Sequence, residues 1–191
     1  MRAHHEEPDV ADRLARGILT LLGSRSQLND PWVIICVGSD RSTGDALGPL
    51  VGERLRQAGR KDMMVFGTLE RPVHATNLEE VLRSVRVEYP KLPVLAVDAC
   101  LGQAESVGYI SLRAGPLRPG TGVNKQLPPV GDLHVVGIVN VGGFMEYFVL
   151  QNTRLNLVMR MAHVIADGIL LAARVREANG IRDAACSRSG A

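Results

Sequence analysis

Apolar positions along the chain follow two rhythms. Over Pro8–Leu22 they recur every fourth residue, at Val10, Leu14, Ile18 and Leu22, which predicts an amphipathic helix lying against a core. Trp32–Val37 is instead an unbroken apolar run rich in β-branched residues, the pattern of a strand covered on both faces. A polar loop follows between Gly38 and Gly44, displaying Ser39, Asp40, Arg41, Ser42 and Thr43. Asp45 stands where that loop turns into a helix. Thr43 is placed to cap this helix, whose Ala46, Leu47, Leu50, Val51 and Leu55 share one face before Gly59 ends it.

The same alternation continues. Met63–Phe66 reads as a second strand, and Thr76 with Glu79 as a capping box opening a helix to about Val87. Pro93–Val97 is a third buried strand leading into Asp98-Ala-Cys-Leu-Gly102. Val107–Leu112 follows too closely for a crossover helix, so it is expected antiparallel or at an edge. The stretch 115–131 is dense in glycine and proline and reads as a long surface loop. Leu133–Val139 is a further buried strand, Phe144–Leu150 fits strand or helix equally, and Thr153–Arg176 carries the stripe of a long final helix closed by Gly180. The expectation is an α/β fold: three layers, a mainly parallel twisted sheet, helices on both faces. Residues 1–30 are taken as a loose tail and a peripheral helix, 31–180 as one domain and 181–191 as a disordered tail.

Composition narrows the function. A chain of 191 residues, 46% apolar but only 4% aromatic, suits one domain with an aliphatic core. A formal net charge of +2 without a basic block argues against nucleic acid as a partner. Cys36, Cys100 and Cys186 have no metal-type pair spacing and read as reduced thiols. Acidic Glu6, Glu7 and Asp9 stand where a signal peptide would be basic, and the apolar run there is too short to span a membrane. The expected location is the cytoplasm, with no membrane partner.

Two carboxylates occupy equivalent places: Asp45 follows the loop of strand one and Asp98 ends strand three. If those strands are neighbours, both side chains project over one sheet edge, where binding and catalytic groups of α/β proteins gather. Two carboxyls in one site perturb each other, so one can stay protonated as an acid while the other serves as base, or both can hold a divalent metal. On spacing alone, a helix-terminal role for Asp45, favourable by about 0.3–1 kcal/mol, and a turn-capping role for Asp98 weigh equally. Arg41 can grip a carbonyl or carboxylate, though a solvated arginine explains it as well. Cys100 lacks a patterned histidine and reads as inert; His74, ahead of a helix, can reach the site or be structural. Asp132 and Lys125 read as solvated. The Gly38–Gly44 loop lacks the lysine of a phosphate-binding loop and the glycine pattern of a dinucleotide site.

Gly38-Ser-Asp-Arg-Ser-Thr-Gly-Asp-Ala-Leu-Gly-Pro-Leu-Val-Gly52, Val97-Asp-Ala-Cys-Leu-Gly102, Lys125-Gln-Leu-Pro-Pro-Val-Gly-Asp132 and Gly137-Ile-Val-Asn140 resemble the YyaC sporulation proteins of endospore-forming bacteria. The likeness spans roughly residues 32–172. Members are described as candidate spore proteases, by a more distant similarity to germination protease and to hydrogenase maturation endopeptidases, which share a phosphorylase/hydrolase-like fold. Thr43-Gly-Asp-Ala-Leu-Gly-Pro49 is similar to a segment of germination protease with an essential aspartate, matched here by Asp45, and Val97-Asp-Ala99 to a second, matched by Asp98. In the hydrogenase maturation endopeptidases the two places carry nickel ligands completed by a histidine, to which no histidine here aligns.

The resemblance implies an endopeptidase-like protein of sporulation or germination, acting on a peptide or small protein such as a spore protein. Asp45 and Asp98 are its acid/base pair, and Ser39, Asp40, Arg41, Ser42, Thr43 and His74 line the substrate. Loop amides of 39–44 would stabilise an oxyanion, and the Gly/Pro loop would shape a peptide groove. No cofactor is required, though nickel or zinc on Asp45 and Asp98 with His74 or His134 is an alternative; another is a sporulation factor that binds a partner without catalysis.

Overall fold

The computed structural model describes residues 1–23, 31–119 and 127–189, with side chains described as far as position 180. All five residues of β2 (Trp32–Cys36) are buried, and they divide by alternation between two apolar clusters. Trp32, Ile34 and Cys36 enter one cluster with α1 (Val10–Gly23), α2 (Leu47–Gln57) and α5 (Leu155–Ser189). Val33 and Ile35 enter the other with Leu78, Leu82 and Val85 of α3 (Leu78–Glu88). Burial on both faces is why the run has no polar alternation, and it makes the molecule the expected three-layer α/β fold.

The remaining strands are β1 (Arg2–His4), β3 (Met63–Phe66), β4 (Val94–Gly102), β5 (Tyr109–Ala114) and β6 (Leu133–Val141), with a short helix α4 (Glu146–Gln151) before α5. Sheet order is β1-β5-β6-β4-β2-β3. The four strands β3, β2, β4 and β6 are parallel, and β5 pairs antiparallel with β6, as the missing crossover requires. β2 and β4 are direct neighbours, with Cys36 opposite Val97. Asp98 therefore lies just past the end of β2, at the carboxyl edge of the sheet.

Three local expectations change. Residues 1–7 are not a loose tail: β1 pairs antiparallel with β5, Arg2 opposite Ser111 and His4 opposite Tyr109, and His5 is buried with its amide on the Gly108 carbonyl at 2.9 Å. Three paired residues are too few to leave a period in the sequence. The Gly/Pro stretch is not surface throughout, because Leu117 and Val130 bridge one another and are buried under the α3 face; Lys125 lies outside the described residues. Gly180 lies inside α5 rather than closing it, and the helix continues to Ser189 over part of the expected tail. The ambiguous Phe144–Leu150 resolves mainly as α4.

Two contacts position the site. α2 rests on bare backbone, since a Cβ at Gly48 would stand 2.0 Å from the Val37 carbonyl oxygen and one at Gly52 would stand 2.0 Å from that of Gly67. α5 is long and apolar enough by composition to cross a membrane, but here Val158, Met161, Ile165 and Ile169 are fully buried against the sheet and α1. Ile165→Ala is expected to cost about 2–5 kcal/mol through the cavity it leaves, read as a lower urea midpoint at unchanged slope.

Candidate functional site

The site is built where β2 ends, beside the middle of β4: that strand does not stop at Val97 as expected but stays paired with β6 as far as Gly102, so Asp98 lies within it rather than at its end. Gly38 leaves β2 at φ +144, a conformation suited to glycine, and the Asp45 carbonyl folds back to within 2.1 Å of where a Cβ would be. The loop closes on itself: the Ser39 amide donates to the Asp45 carbonyl at 3.2 Å, the Arg41 amide to Ser39 Oγ at 3.2 Å and the Ala46 amide to the Ser42 carbonyl at 2.9 Å. The turn this creates carries the chain to Ala46, which precedes α2 without a side-chain cap, so Thr43 does not cap the helix as expected. Pro49 sits in the first turn of α2, where a missing N–H is tolerated.

Asp45 and Asp98 are brought into electrostatic contact. Asp98 is buried, at 9% exposure, and its Oδ1 accepts the Ala99 amide at 2.8 Å. Burial first, and then the Asp45 charge, raise its proton affinity well above that of an ordinary carboxyl; the Ala99 hydrogen bond opposes them more weakly. Asp45 is raised by burial too, but His74 and the Ser39 amide favour its ionised form. Both carboxyls thus hold their protons more strongly than an ordinary carboxyl, Asp98 more so than Asp45.

The other expected residues separate. His74 acts on Asp45 through charge, and its ring Nδ1 lies 2.9 Å from Thr76 Oγ1 while its amide donates to Asn77 Oδ1 at 2.8 Å. Those bonds take Thr76 and Asn77 out of helix capping, and α3 starts at Leu78 without the expected capping box. Ser42 turns its hydroxyl inward, buried and without a hydrogen-bond partner. Asp40 and Arg41 are exposed on the loop's outer side. The amides of Ser39, Arg41 and Gly44 are engaged within the fold, which removes them from the expected oxyanion hole. Cys100, half-buried, is held as a thiol by burial and then by the Asp98 charge, its pKa pushed up to about 11. Asp132 is not simply solvated: its Oδ2 accepts the Val94 amide at 2.9 Å and fixes the start of β4.

A nickel or zinc ion would need a third side-chain donor beside the two aspartates. His134 has its ring nitrogen on the Gly115 carbonyl at 2.9 Å, and among the described residues no three His, Cys, Asp or Glu side chains form a group able to hold a metal. The residues present do not fit a resident metal of that kind.

A family model described as a protein of unknown function, DUF1256, matches residues 2–168. The chain belongs to the DUF1256 family. Protein YyaC of Bacillus subtilis strain 168, described as uncharacterized, is 54% identical over 162 residues, covering 84% of this chain and 79% of that one. Among solved structures, the [NiFe] hydrogenase maturation protease HycI of Thermococcus kodakarensis KOD1 superposes with a TM-score of 0.56 at 16% identity, over 83% of this chain and 99% of that chain. That likeness is one of fold.

This DUF1256 chain also places at the site residues that sequence reasoning passed over. Asn140, at the end of β6, donates from Nδ2 to the Val149 carbonyl and to Thr153 Oγ1, both at 3.2 Å. Leu150 in turn accepts the Gly44 amide at 2.8 Å. β6, α4 and the Asp45 loop are thereby tied together. The sequence signals for this were Asn140 at the end of the Gly137-Ile-Val-Asn140 motif and the strand-or-helix ambiguity of Phe144–Leu150, which hid a short helix at the sheet edge.

Proposed function

We propose that the protein is an endopeptidase-like hydrolase of sporulation or germination that cuts a peptide bond with Asp45 and Asp98. The observation that carries this reading is the unequal pair: the pairing of β2 with β4 brings two carboxyls together at one sheet edge, Asp98 buried and holding its proton the more strongly, Asp45 less so because His74 and the Ser39 amide oppose the effect of its burial. Asp45 as general base takes a proton from water, and the water oxygen attacks the scissile carbonyl. Protonated Asp98 polarises that carbonyl and then passes its proton to the departing amine, which leaves as the C–N bond breaks. The protease fold of the structural neighbour and the likeness of the two aspartate segments to germination protease support the assignment. Small spore proteins are the substrate class to try first.

The experiment is cleavage of small acid-soluble spore proteins by purified protein, followed by mass spectrometry, with Asp45→Asn alongside. Wild type is expected to yield discrete products and Asp45→Asn about 10²–10⁴-fold less. Equal cleavage by both proteins would remove the pair from the mechanism. A second reading, a sporulation factor that binds a partner without cutting, is favoured by the engaged amides of Ser39, Arg41 and Gly44; it expects tight binding and no products.

A further inference from the structure

Large apolar side chains are concentrated on one piece of surface. Of the eight that are exposed among the described residues, six fall between positions 141 and 155. Phe144, Met145, Tyr147 and Phe148 form the centre of this group, each more than half exposed, with Phe144 at 87%. Met145 is the one non-glycine among the described residues with positive φ, at 55°, a conformation unfavourable for a long side chain unless the surroundings impose it. The segment is held in that shape from several sides. Gly142 donates to the Gly102 carbonyl at 2.8 Å, Gly143 to Glu146 Oε1 at 3.1 Å, and Asn140 fixes its far end.

The strap is continuous with the candidate site. It follows the end of β6, is tied to the end of β4, the strand carrying Asp98, by the bond from the Gly142 amide to the Gly102 carbonyl, and reaches the Asp45 loop through the bond from the Gly44 amide to the Leu150 carbonyl. Gly102, to which the strap is bonded, stands four residues beyond Asp98 on β4, a span of about 13 Å at about 3.3 Å per strand residue, which an extended polypeptide crosses in about four residues. Charge selects among occupants. The patch carries one carboxylate, Glu146, turned back on the Gly143 amide, and one cation, the exposed Arg154 beside Leu155. A single arginine is too little to draw anionic lipid headgroups, which clusters of basic residues attract, whereas rigid aromatic side chains presented together are what apolar anchors of a peptide bind.

We propose that the strap Phe144–Phe148 is the recognition surface of this site for an apolar stretch of an extended polypeptide substrate. The inference rests on the peptidase reading for the identity of the ligand, but binding tests it separately from cleavage. The probes are two fluorescein-labelled unstructured peptides, identical except for a block of Leu and Phe in one and Ser and Gly in the other. Fluorescence anisotropy is measured with wild type, with the exposed triple variant Phe144→Ser/Tyr147→Ser/Phe148→Ser, and with Val87→Ser on the distant α3. The Leu/Phe peptide is expected to bind wild type and Val87→Ser alike, at least ten-fold more tightly than the Ser/Gly peptide, and to lose at least ten-fold on the triple variant. Circular dichroism of the triple variant matching wild type keeps the comparison one of surface. The proposal is overturned if the triple variant binds equally, if wild type does not prefer the apolar peptide, or if sedimentation shows a dimer that the triple variant dissociates, since the strap is then an interface between copies. Strap-dependent binding without any cleavage would retain this inference and discard the peptidase reading.

Discussion

Asp98→Asn is expected to give a protein that is more stable than wild type at neutral pH and has lost its hydrolytic activity. Burial and the Asp45 charge raise the affinity of Asp98 for its proton in the folded state. Between the carboxylate range of the unfolded chain and the raised folded value, the native protein thus binds more protons than the unfolded one. Unfolding free energy then falls as pH rises. The favourable contribution is complete below the unfolded carboxylate range and is lost as pH climbs through the folded value. Asparagine keeps the oxygen that accepts the Ala99 amide but cannot ionise. Its gain at pH 8 should be about 1–3 kcal/mol, the scale of an uncompensated buried polar group, or about 2–12 °C in Tm for a chain of this size. Thermal unfolding followed at pH 5 and pH 8 should show wild type losing Tm across that interval and Asp98→Asn losing less, the remainder coming from Asp45, whose proton affinity burial also raises. In the cleavage assay the same variant should fall about 10²–10⁴-fold, and wild-type activity should decline on the alkaline side as Asp98 releases its proton and on the acid side as Asp45 gains one. A variant that is less stable at both pH values would show that the Asp98 charge has a partner in the fold.

Gly48→Ala should be among the most damaging single-methyl changes in the molecule. Its Cβ would meet the Val37 carbonyl oxygen at 2.0 Å, the carbonyl carbon at 2.8 Å and the amide nitrogen at 3.1 Å. All three are backbone atoms of the chain leaving β2, so no flexible side-chain end can move aside. α2 has to lift from the sheet, and the Asp45 loop that feeds it moves too. A loss of about 3 kcal/mol or more is expected, at or above the upper end for overpacking. Gly23→Ala, at the end of α1 with nothing within 4 Å, should stay within about 0.5 kcal/mol of wild type. Paired urea titrations of the two variants make the test; equal midpoints would mean that α2 does not lie on the β2 backbone.

Much of the architecture was readable because burial writes itself locally. Trp32–Cys36 is apolar at every position because it is covered on both faces, and the four-residue stripe of α1 places Val10, Leu14, Ile18 and Leu22 in the core. Helix starts were read less well. Thr43 and Thr76 have the chemistry of caps, but tertiary contacts claimed the second for His74, and the turn at Ser42–Ala46 displaced the first. The strap was illegible for a related reason: six helical residues shortly after Gly142-Gly143 hold too little periodicity to identify themselves.

The chain's own pattern was enough to mark Asp45 and Asp98 as carboxyls following buried apolar runs in an α/β fold, because residue spacing and local burial are properties of neighbouring positions. Their partnership was decided by the tertiary structure. Only the pairing of β2 with β4 sets the two charges in contact, only the depth of Asp98 determines which carboxyl holds its proton more strongly, and only the bonds from Asn140 and Gly44 bring the aromatic strap to the same edge. Strand adjacency and desolvation arise between residues far apart in the chain, where a local pattern carries no record of them.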